Sequence, residues 1–458
     1  MLLWLEKLAP ILLLLVAVAL VIARLPKVEL GHSPEYLRRR IMNWLPLGVT
    51  YAFLYMGRYN LTVAKDVFGG RMDNNDFAYI FAVGTWVYGV AFVLNGPLTD
   101  RFGGKKALLT GAVGTLFANL GMGYFTASGY EGDLVPIFSV LYGINMYFQS
   151  FGAVAIVKAN APWFHVRERG TFGAIFGILI SLGIYFAYDW GKAITDNFAL
   201  EYVFYIPAAI LVVMTAAVVV MVKDSPGEAG FTDFDTGDAT EDGPALGVVD
   251  VFKKMLSNPV ILTIAFIEFC SGFLRQAIMQ WYRTFAKQVG MNNDFVYENW
   301  GMLLCIAGIL GGLFAGVISD HLFQSRRGPV SGFLYGAMLV GAVVLTFTYG
   351  NQLVLGPLMV LMSMCVIGVH GMLSGTASMD FGGRKNTGVA VGIIDGFVYA
   401  GTGFMSVTYG MILPTKDAAK VVENWWAWPV AMIPVALVGL LLCSRIWNAT
   451  ARKGGGGH

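Results

Sequence analysis

Long apolar segments separated by short polar connections run through most of the chain. Each segment after residue 40 is long enough for a helix to cross the ~30 Å hydrocarbon core of a bilayer. The pattern predicts helices at 41–64, 77–98, 107–127, 135–157, 170–189, 202–222, 259–285, 296–318, 330–349, 353–378, 387–412 and 427–446. A polar stretch at 223–258, rich in Gly, Thr and acidic residues, separates the first six from the last six. We therefore predict an all-α membrane protein built from two six-helix bundles, 41–222 and 259–447.

Both ends of the chain differ from this pattern. Residues 8–23 form a shorter apolar run without a clear cleavage site, so we expect an extra N-terminal transmembrane helix rather than a signal peptide. A basic linker, 24–40, follows it and completes a first region, 1–40. The tail 448–458 ends in Gly454-Gly-Gly-Gly-His458, which resembles an expression remnant and is excluded from the fold.

Composition supports the membrane class and excludes several functions. The chain is 56% hydrophobic and 13% charged, whereas soluble domains carry roughly 25% charged residues. The four cysteines lie far apart in apolar runs, without metal-ligand spacing. No phosphate-binding loop or nucleophile–base pattern stands out. We therefore expect no enzymatic activity, cofactor, metal or nucleic-acid partner.

The distribution of basic residues predicts the orientation. Most Lys and Arg side chains outside the helices fall on connections that share a side with Arg38-Arg39-Arg40. Cytoplasmic connections are enriched in these residues. We therefore expect the N-terminal linker, the central loop and the C-terminus to be cytoplasmic, in the inner membrane if the source is bacterial.

The two halves contain related sequences. Gly96-Pro-Leu-Thr-Asp100 recurs as Gly316-Val-Ile-Ser-Asp320, and each half has an arginine in its first helix, Arg58 and Arg275. Internal repeats with a site at their interface are typical of secondary transporters. The pattern predicts pseudo-twofold symmetry with both arginines near the middle of the membrane.

Arg58 is the leading candidate for ligand binding. A charged side chain at the centre of a bilayer costs at least ~2.5 kcal/mol, so it should face the bundle interior. Tyr51 and Tyr55 share its helix face, and Tyr59 follows it. A guanidinium donates in a planar fork that suits tetrahedral oxyanions. Together with Arg275, Arg58 predicts a site for a small anionic metabolite.

Further polar residues fall within the apolar segments. Gln149 and Tyr399 could bind a polar head group or join helices. Asp395 could pair with an arginine, bind a hydroxyl or ammonium group, carry a proton, or serve packing or gating. His370 could carry a proton or form a structural hydrogen bond. Glu268, on the helix face of Arg275, could neutralise that arginine.

The segment from Gly96 to Lys106 resembles the loop between the second and third helices of the major facilitator superfamily, G-x-L-x-D-R-x-G-(R/K)-(R/K). An aspartate at a helix end could pair with basic groups or a facing helix N-terminus in one state and release them in the other. The resemblance implies gating roles for Asp100, Arg101 and Lys105, and for Asp320 and Arg326 in the second copy.

Within that superfamily the chain resembles the organophosphate:phosphate antiporters, the group containing glycerol-3-phosphate and hexose-phosphate transporters. The matching residues span Arg38 to Trp447 and include Tyr51, Tyr55, Arg58, Asn60, Phe148-Gln149, Trp163 to Gly170, Asp224-Ser-Pro226, Leu274-Arg275, Ser319 to Gly328, Arg384-Lys385 and Tyr399. Three positions depart from the family pattern: Tyr59 replaces a frequent lysine, Ile180 a histidine and Gly272 a tyrosine.

The resemblance implies a monomeric transporter that exchanges a small phosphorylated metabolite for inorganic phosphate by alternating access. Two alternatives stay open. One is a proton-coupled carrier of another organic anion, with Asp395 or His370 carrying the proton. The other is a membrane sensor that binds a sugar phosphate and signals to a partner.

Overall fold

The computed structural model describes residue 16 and residues 31–165, 168–236, 248–323, 326–377 and 387–449. The predicted extra helix at 8–23 and the tail from 450 onward therefore lie outside the described residues, with residue 16 the sole exception. All statements below concern the described part of the chain.

The described residues form twelve long helical elements in the predicted order. They are α1 (Pro34–Phe68), α2 (Asn74–Phe102), α3 (Gly104–Ala127), α4 (Leu134–Gln149 and Phe151–Asn160), α5 (Arg169–Tyr185, Phe186–Trp190 and Gly191–Asn197), α6 (Tyr202–Met221), α7 (Pro259–Met279 and Trp281–Gln288), α8 (Trp300–Leu322), α9 (Arg327–Thr348), α10 (Gln352–His370 and Gly371–Ala377), α11 (Thr387–Ile412) and α12 (Ala427–Arg445). Eight of the described helices are long and apolar enough to cross a membrane. The prediction of an all-α membrane fold is confirmed.

Two segments assigned to linkers contain helix. The first helix begins at Pro34 and not near residue 41, because Ser33 accepts a hydrogen bond from the Tyr36 amide at 3.2 Å and proline suits a first helical position. Contacts with other elements hold this turn: the Tyr36 hydroxyl donates to the Trp163 carbonyl at 2.9 Å, and Arg40 binds both carboxylate oxygens of Glu168. The central loop contains the short helix Val248–Leu256.

Four helices are interrupted where they pass the centre or the end of the bundle. α4 breaks at Ser150 and α7 at Gln280, whereas α5 and α10 contain π-helical segments, Phe186–Trp190 and Gly371–Ala377. Such irregular turns often occur at functional sites because they redirect side chains that a regular helix would aim elsewhere.

The two halves pack against each other mainly through α2 with α11 and α5 with α8. Small residues permit these contacts: Gly89 lies against Gly396 and Tyr399, and Gly308 lies against Ser181. We call the end of the bundle near Asn74 the Asn74 face and the opposite end, near Asp224, the Asp224 face. The candidate site lies between these faces, where residues from both halves meet.

Candidate functional site

Arg58 lies at the interface of the two halves and is only 1% exposed. Its Nε donates to Gln149 Oε1 at 2.9 Å, its Nη1 to the Tyr399 hydroxyl at 2.9 Å, and its Nη2 to the Tyr88 hydroxyl at 3.2 Å. α1, α2, α4 and α11 therefore converge on one guanidinium. All three of these acceptors are neutral, so the described hydrogen bonds orient the guanidinium without cancelling its charge.

Aromatic rings surround the same guanidinium. Its Cζ lies 4.6 Å from the ring centroids of both Tyr55 and Tyr88. The Tyr88 ring also stacks obliquely on that of Tyr399, with centroids 4.1 Å apart. Ring faces attract cations, more strongly where water is excluded. The tyrosines therefore hold a positive charge in place and leave it available to an anion.

Gln149 is positioned by the interruption of α4. It is the last residue before Ser150, whose hydroxyl accepts a 2.6 Å hydrogen bond from Asn95 on α2. The Gln149 amide nitrogen donates to Asn145, and Asn145 in turn donates to the Gly57 carbonyl at 2.8 Å. This network aims the Gln149 oxygen at Arg58.

Arg275 approaches the site from the other half. It is half-buried, and its Cζ lies 6.0 Å from the Tyr399 ring centroid, the same distance as that of Arg58. Tyr399 thus lies close to both arginines. Among the described residues, Arg275 Nε has no hydrogen-bond partner, so the group retains donor capacity for a ligand.

The other tyrosines of α1 flank the site. Tyr51 packs edge-on against Tyr55 with centroids 5.3 Å apart, and the Tyr59 hydroxyl accepts a 2.9 Å hydrogen bond from Gln276. The structure thus brings Tyr55, Gln149 and Tyr399 to Arg58, while Tyr51 and Tyr59 lie beside them. Tyr88 was missed by the sequence reasoning, and its apolar segment carries no signal that distinguishes it from a lipid-facing tyrosine.

Asp395 and His370 belong to a second polar cluster within the C-terminal half. The Ser374 hydroxyl, in the π-helical segment of α10, donates to Asp395, one turn before Tyr399 on α11. His370 Nδ1 lies 2.9 Å from Glu268 Oε2. Glu268 therefore has a direct partner on α10, whereas the sequence suggested only Arg275.

Two of the residues predicted to gate, Lys105 and Arg326, have described contacts within their own half or with the start of the central loop. The Lys105 amide donates to Asp224 Oδ1 at 2.8 Å, and its Nζ donates to the Val219 carbonyl at 2.7 Å. Arg326 Nε donates to the Phe323 carbonyl at 3.2 Å, and Arg101 is exposed. The side chains of Asp100 and Asp320 lie outside the described part of the structure. A gating role for these five residues stays a prediction.

Besides the hydrogen bonds of Arg58 and Tyr59 at the site, further direct polar contacts between the halves lie at the Asn74 face. Asn74 on α2 exchanges 3.0 Å hydrogen bonds with Gln288 on α7 and donates to the Pro414 carbonyl at 2.7 Å. Arg283 is 3% exposed and lies 3.8 Å from Asp66. The α7 helix continues to Gln288, and this extension buries Arg283 between the halves.

Asp189 makes a further contact between the halves. It lies in the π-helical segment of α5, and its carboxylate accepts hydrogen bonds from the Gly301 amide at 2.7 Å and the Met302 amide at 2.8 Å. These amides belong to the first turn of α8, where backbone N–H groups lack helical partners. A carboxylate from one half thus caps a helix of the other.

Two six-helix halves with a polar site at their interface define a multi-pass membrane protein of the secondary-transporter class. The model of the Major Facilitator Superfamily matches residues 47–406, and the chain belongs to that superfamily. The expectation that it is not an enzyme is confirmed, because this is a family of transporters.

Comparisons with individual proteins agree with this assignment. The chain is 24% identical to the glycerol-3-phosphate transporter of Bacillus subtilis (strain 168), covering 91% of this chain and 94% of that protein. It is 23% identical to a probable hexose phosphate transport protein of Chlamydia trachomatis (92% and 93%), and 24% identical to the membrane sensor protein UhpC of Escherichia coli K12 (92% and 95%). The predicted resemblance to the organophosphate:phosphate antiporters is confirmed.

A solved structure shares the fold. A bacterial homologue of the human lysosomal transporter Spinster, in an inward-facing, unoccupied conformation, superposes with a TM-score of 0.71 at 12% identity. The match covers 93% of this chain and all of the other. At 12% sequence identity, this similarity shows only that the two proteins share a fold.

Proposed function

We propose that the protein is a secondary active transporter that moves a small phosphorylated anion in exchange for inorganic phosphate. The observation that carries this proposal is the buried Arg58, held by three neutral acceptors from both halves. A cation whose partners are all neutral is prepared to gain a charge-assisted, bidentate pair with a phosphoryl group. The names of the curated relatives support phosphorylated metabolites as the substrate class.

Alternating access follows from the positions of the two arginines. Arg58 and Arg275 belong to different halves, and a dianion between them would offset their mutual repulsion. A ligand shifts a conformational equilibrium by as much as its affinities for the two states differ. An anion that bridges the arginines favours the state in which the halves meet around it, and its release allows the halves to separate.

The distribution of Lys and Arg along the chain supports an orientation with the Asn74 face outside and the Asp224 face in the cytoplasm. The contacts of Asn74, Asp189 and Arg283 join the halves at the Asn74 face. We infer that this structure is a state closed toward the outside. We further propose a monomer, located in the inner membrane if the source is bacterial.

The test is exchange of radiolabelled inorganic phosphate into proteoliposomes preloaded with unlabelled phosphate. We expect saturable exchange that a panel of phosphate monoesters inhibits, with one ester more effective than the others. Carboxylates of similar size should compete poorly. Absence of exchange by correctly inserted, folded protein would contradict the proposal.

The sensor alternative has one specific argument, the 24% identity to a protein described as a membrane sensor. A sensor needs to bind its ligand but does not need to turn over. Sustained exchange in liposomes that contain only this protein would therefore favour the transporter, whereas tight binding without exchange would favour the sensor.

Replacing Asp189 with alanine is expected to open the Asn74 face. The change removes both acceptors of the α8 amides, and losing a helix cap costs about 1 kcal/mol, which shifts a two-state population about fivefold. Distances between spin labels placed on both halves at the Asn74 face would report a larger separated fraction.

The matched control is Asp133→Ala. Asp133 caps α4 within its own half, where its Oδ1 accepts a 2.9 Å hydrogen bond from the Val135 amide. The proposed cap would be wrong if both variants changed the label distances equally.

A further inference from the structure

Glu268 is an unusual residue in the C-terminal half because its carboxylate is fully buried in a membrane-spanning helix. It is 0% exposed, and its Oε2 lies 2.9 Å from His370 Nδ1. Its other oxygen, Oε1, has no hydrogen-bond partner among the described residues. A buried carboxylate with one open oxygen is costly unless a proton or a cation compensates its charge.

His370 connects this carboxylate to accessible space. It is the last residue of the α-helical part of α10, immediately before the π-helical segment, and its side chain is 26% exposed. An imidazole is the side chain whose charge changes most readily near neutral pH. The Glu268–His370 pair can therefore exchange a proton with water, although the carboxylate itself is buried.

Other charged and titratable groups among the described residues lie around the pair on α7, α9, α11 and α12. Asp395 on α11 and Arg275 on α7 interact with it electrostatically, as do three groups that are neutral near pH 7. Those three are Cys270 on α7, Tyr335 on α9 and Cys443 on α12. Among these described groups, the two that can carry a charge near neutral pH are therefore Arg275 and the carboxylate of Asp395.

The fixed charges around the candidate site sum to zero before a ligand enters when both nearby carboxylates are ionised. Arg58 and Arg275 supply two positive charges, and Glu268 and Asp395 supply two negative charges if both are ionised. A phosphate dianion added to this set would leave two uncompensated negative charges in a low-dielectric region. Proton uptake is the available way to reduce that charge without moving a helix.

We propose that the Glu268–His370 pair binds a proton when a dianion occupies the arginine site, so that anion binding and proton binding favour each other. The pair is the better candidate within the cluster because Asp395 already accepts a hydrogen bond from Ser374, whereas Glu268 has an open oxygen and a partly exposed imidazole beside it. This inference rests on the proposed function and adds proton coupling to it.

Reciprocal coupling determines the expected pH dependence. If the anion raises the proton affinity of the pair, the proton must raise the anion affinity by the same factor. The affinity for the dianion therefore falls as the pH rises over the range in which the unliganded pair has lost the proton and the liganded pair keeps it, by at most about tenfold per pH unit for one proton. Outside that range the affinity does not depend on pH.

The test measures the concentration of phosphate dianion that gives half-maximal exchange. The measurement is repeated at pH values from about 6 to about 9. We expect this concentration to rise severalfold across this range for the unmodified protein. Glu268→Gln, which keeps the shape of the side chain without its charge, should exchange phosphate with a much flatter pH profile. His370→Gln should move the pH at which affinity changes, because the proton site then lacks the imidazole.

The control is Asp417→Asn, the same chemical change at an exposed site paired with Lys420. It should reproduce the unmodified profile. A dianion affinity that does not change with pH, or a Glu268→Gln profile identical to the control, would overturn the proton site while leaving exchange intact. Absence of exchange in the unmodified protein would instead refute the proposed function. If Glu268→Gln does not fold, the shift expected for His370→Gln decides the question.

Discussion

Arg58→Lys is expected to reduce phosphate exchange at least about a hundredfold. A lysine keeps the charge but has no planar fork, so it cannot reach Gln149, Tyr88 and Tyr399 together. Hydrogen bonds to charged groups contribute roughly 1.5–3 kcal/mol each, and losing two of them costs about 3 kcal/mol or more. Each 1.4 kcal/mol corresponds to a tenfold change. The measurement is the initial rate of labelled phosphate exchange in proteoliposomes.

The control for this substitution is Arg71→Lys. Arg71 is exposed at the Asn74 face and donates one hydrogen bond to the Tyr130 carbonyl at 2.6 Å. The Arg71→Lys variant should exchange phosphate at the rate of the unmodified protein. Exchange by well-folded Arg58→Lys at a rate near that of the control would show that the guanidinium geometry is not needed and would contradict the arginine site.

The positions of the helices along the chain were predictable because a helix that crosses the bilayer must be long enough and apolar enough to do so. The same constraint identified Arg58, since a charge in the middle of an apolar segment needs an interior partner. Asp395 and Arg275 were found by the same reasoning. Each of these inferences concerns residues of a single helix, so the sequence of that helix is sufficient to make it.

The partners of these residues could not be predicted in the same way. Glu268 and His370 lie 102 residues apart, and their contact depends on how α7 packs on α10. Asp189 appeared to end its helix, whereas a π-helical turn aims it at α8. Tyr88 carries no charge, so nothing in its segment separated it from a lipid-facing tyrosine. Contacts between helices and local irregularities of the backbone decide these positions.

Gly272 also illustrates a constraint that comes from packing. The family resemblance leads one to expect a tyrosine there, but a Cβ at this position would overlap the Val398 carbonyl oxygen on α11. A Cβ at Gly401 would overlap the Phe269 carbonyl oxygen on α7 in the reciprocal contact. The two helices thus pack backbone against backbone, and the Thr402 hydroxyl donates to the Gly272 carbonyl at 3.1 Å. This close approach leaves no room for the tyrosine.

Gly272→Ala is therefore expected to have the largest effect on stability. Overpacking a core costs typically 1–3 kcal/mol, and the upper end applies here because the obstacle is backbone and cannot rotate away. Separating α7 from α11 also moves Tyr399, which follows Val398, away from Arg58. We expect a lower thermal midpoint, a reduced yield of monodisperse protein and a loss of phosphate exchange. Gly312→Ala on α8 is the matched control, since no atom lies within 4 Å of its added Cβ. Equal thermal midpoints and exchange rates for the two variants would show that α7 and α11 do not approach this closely in the membrane.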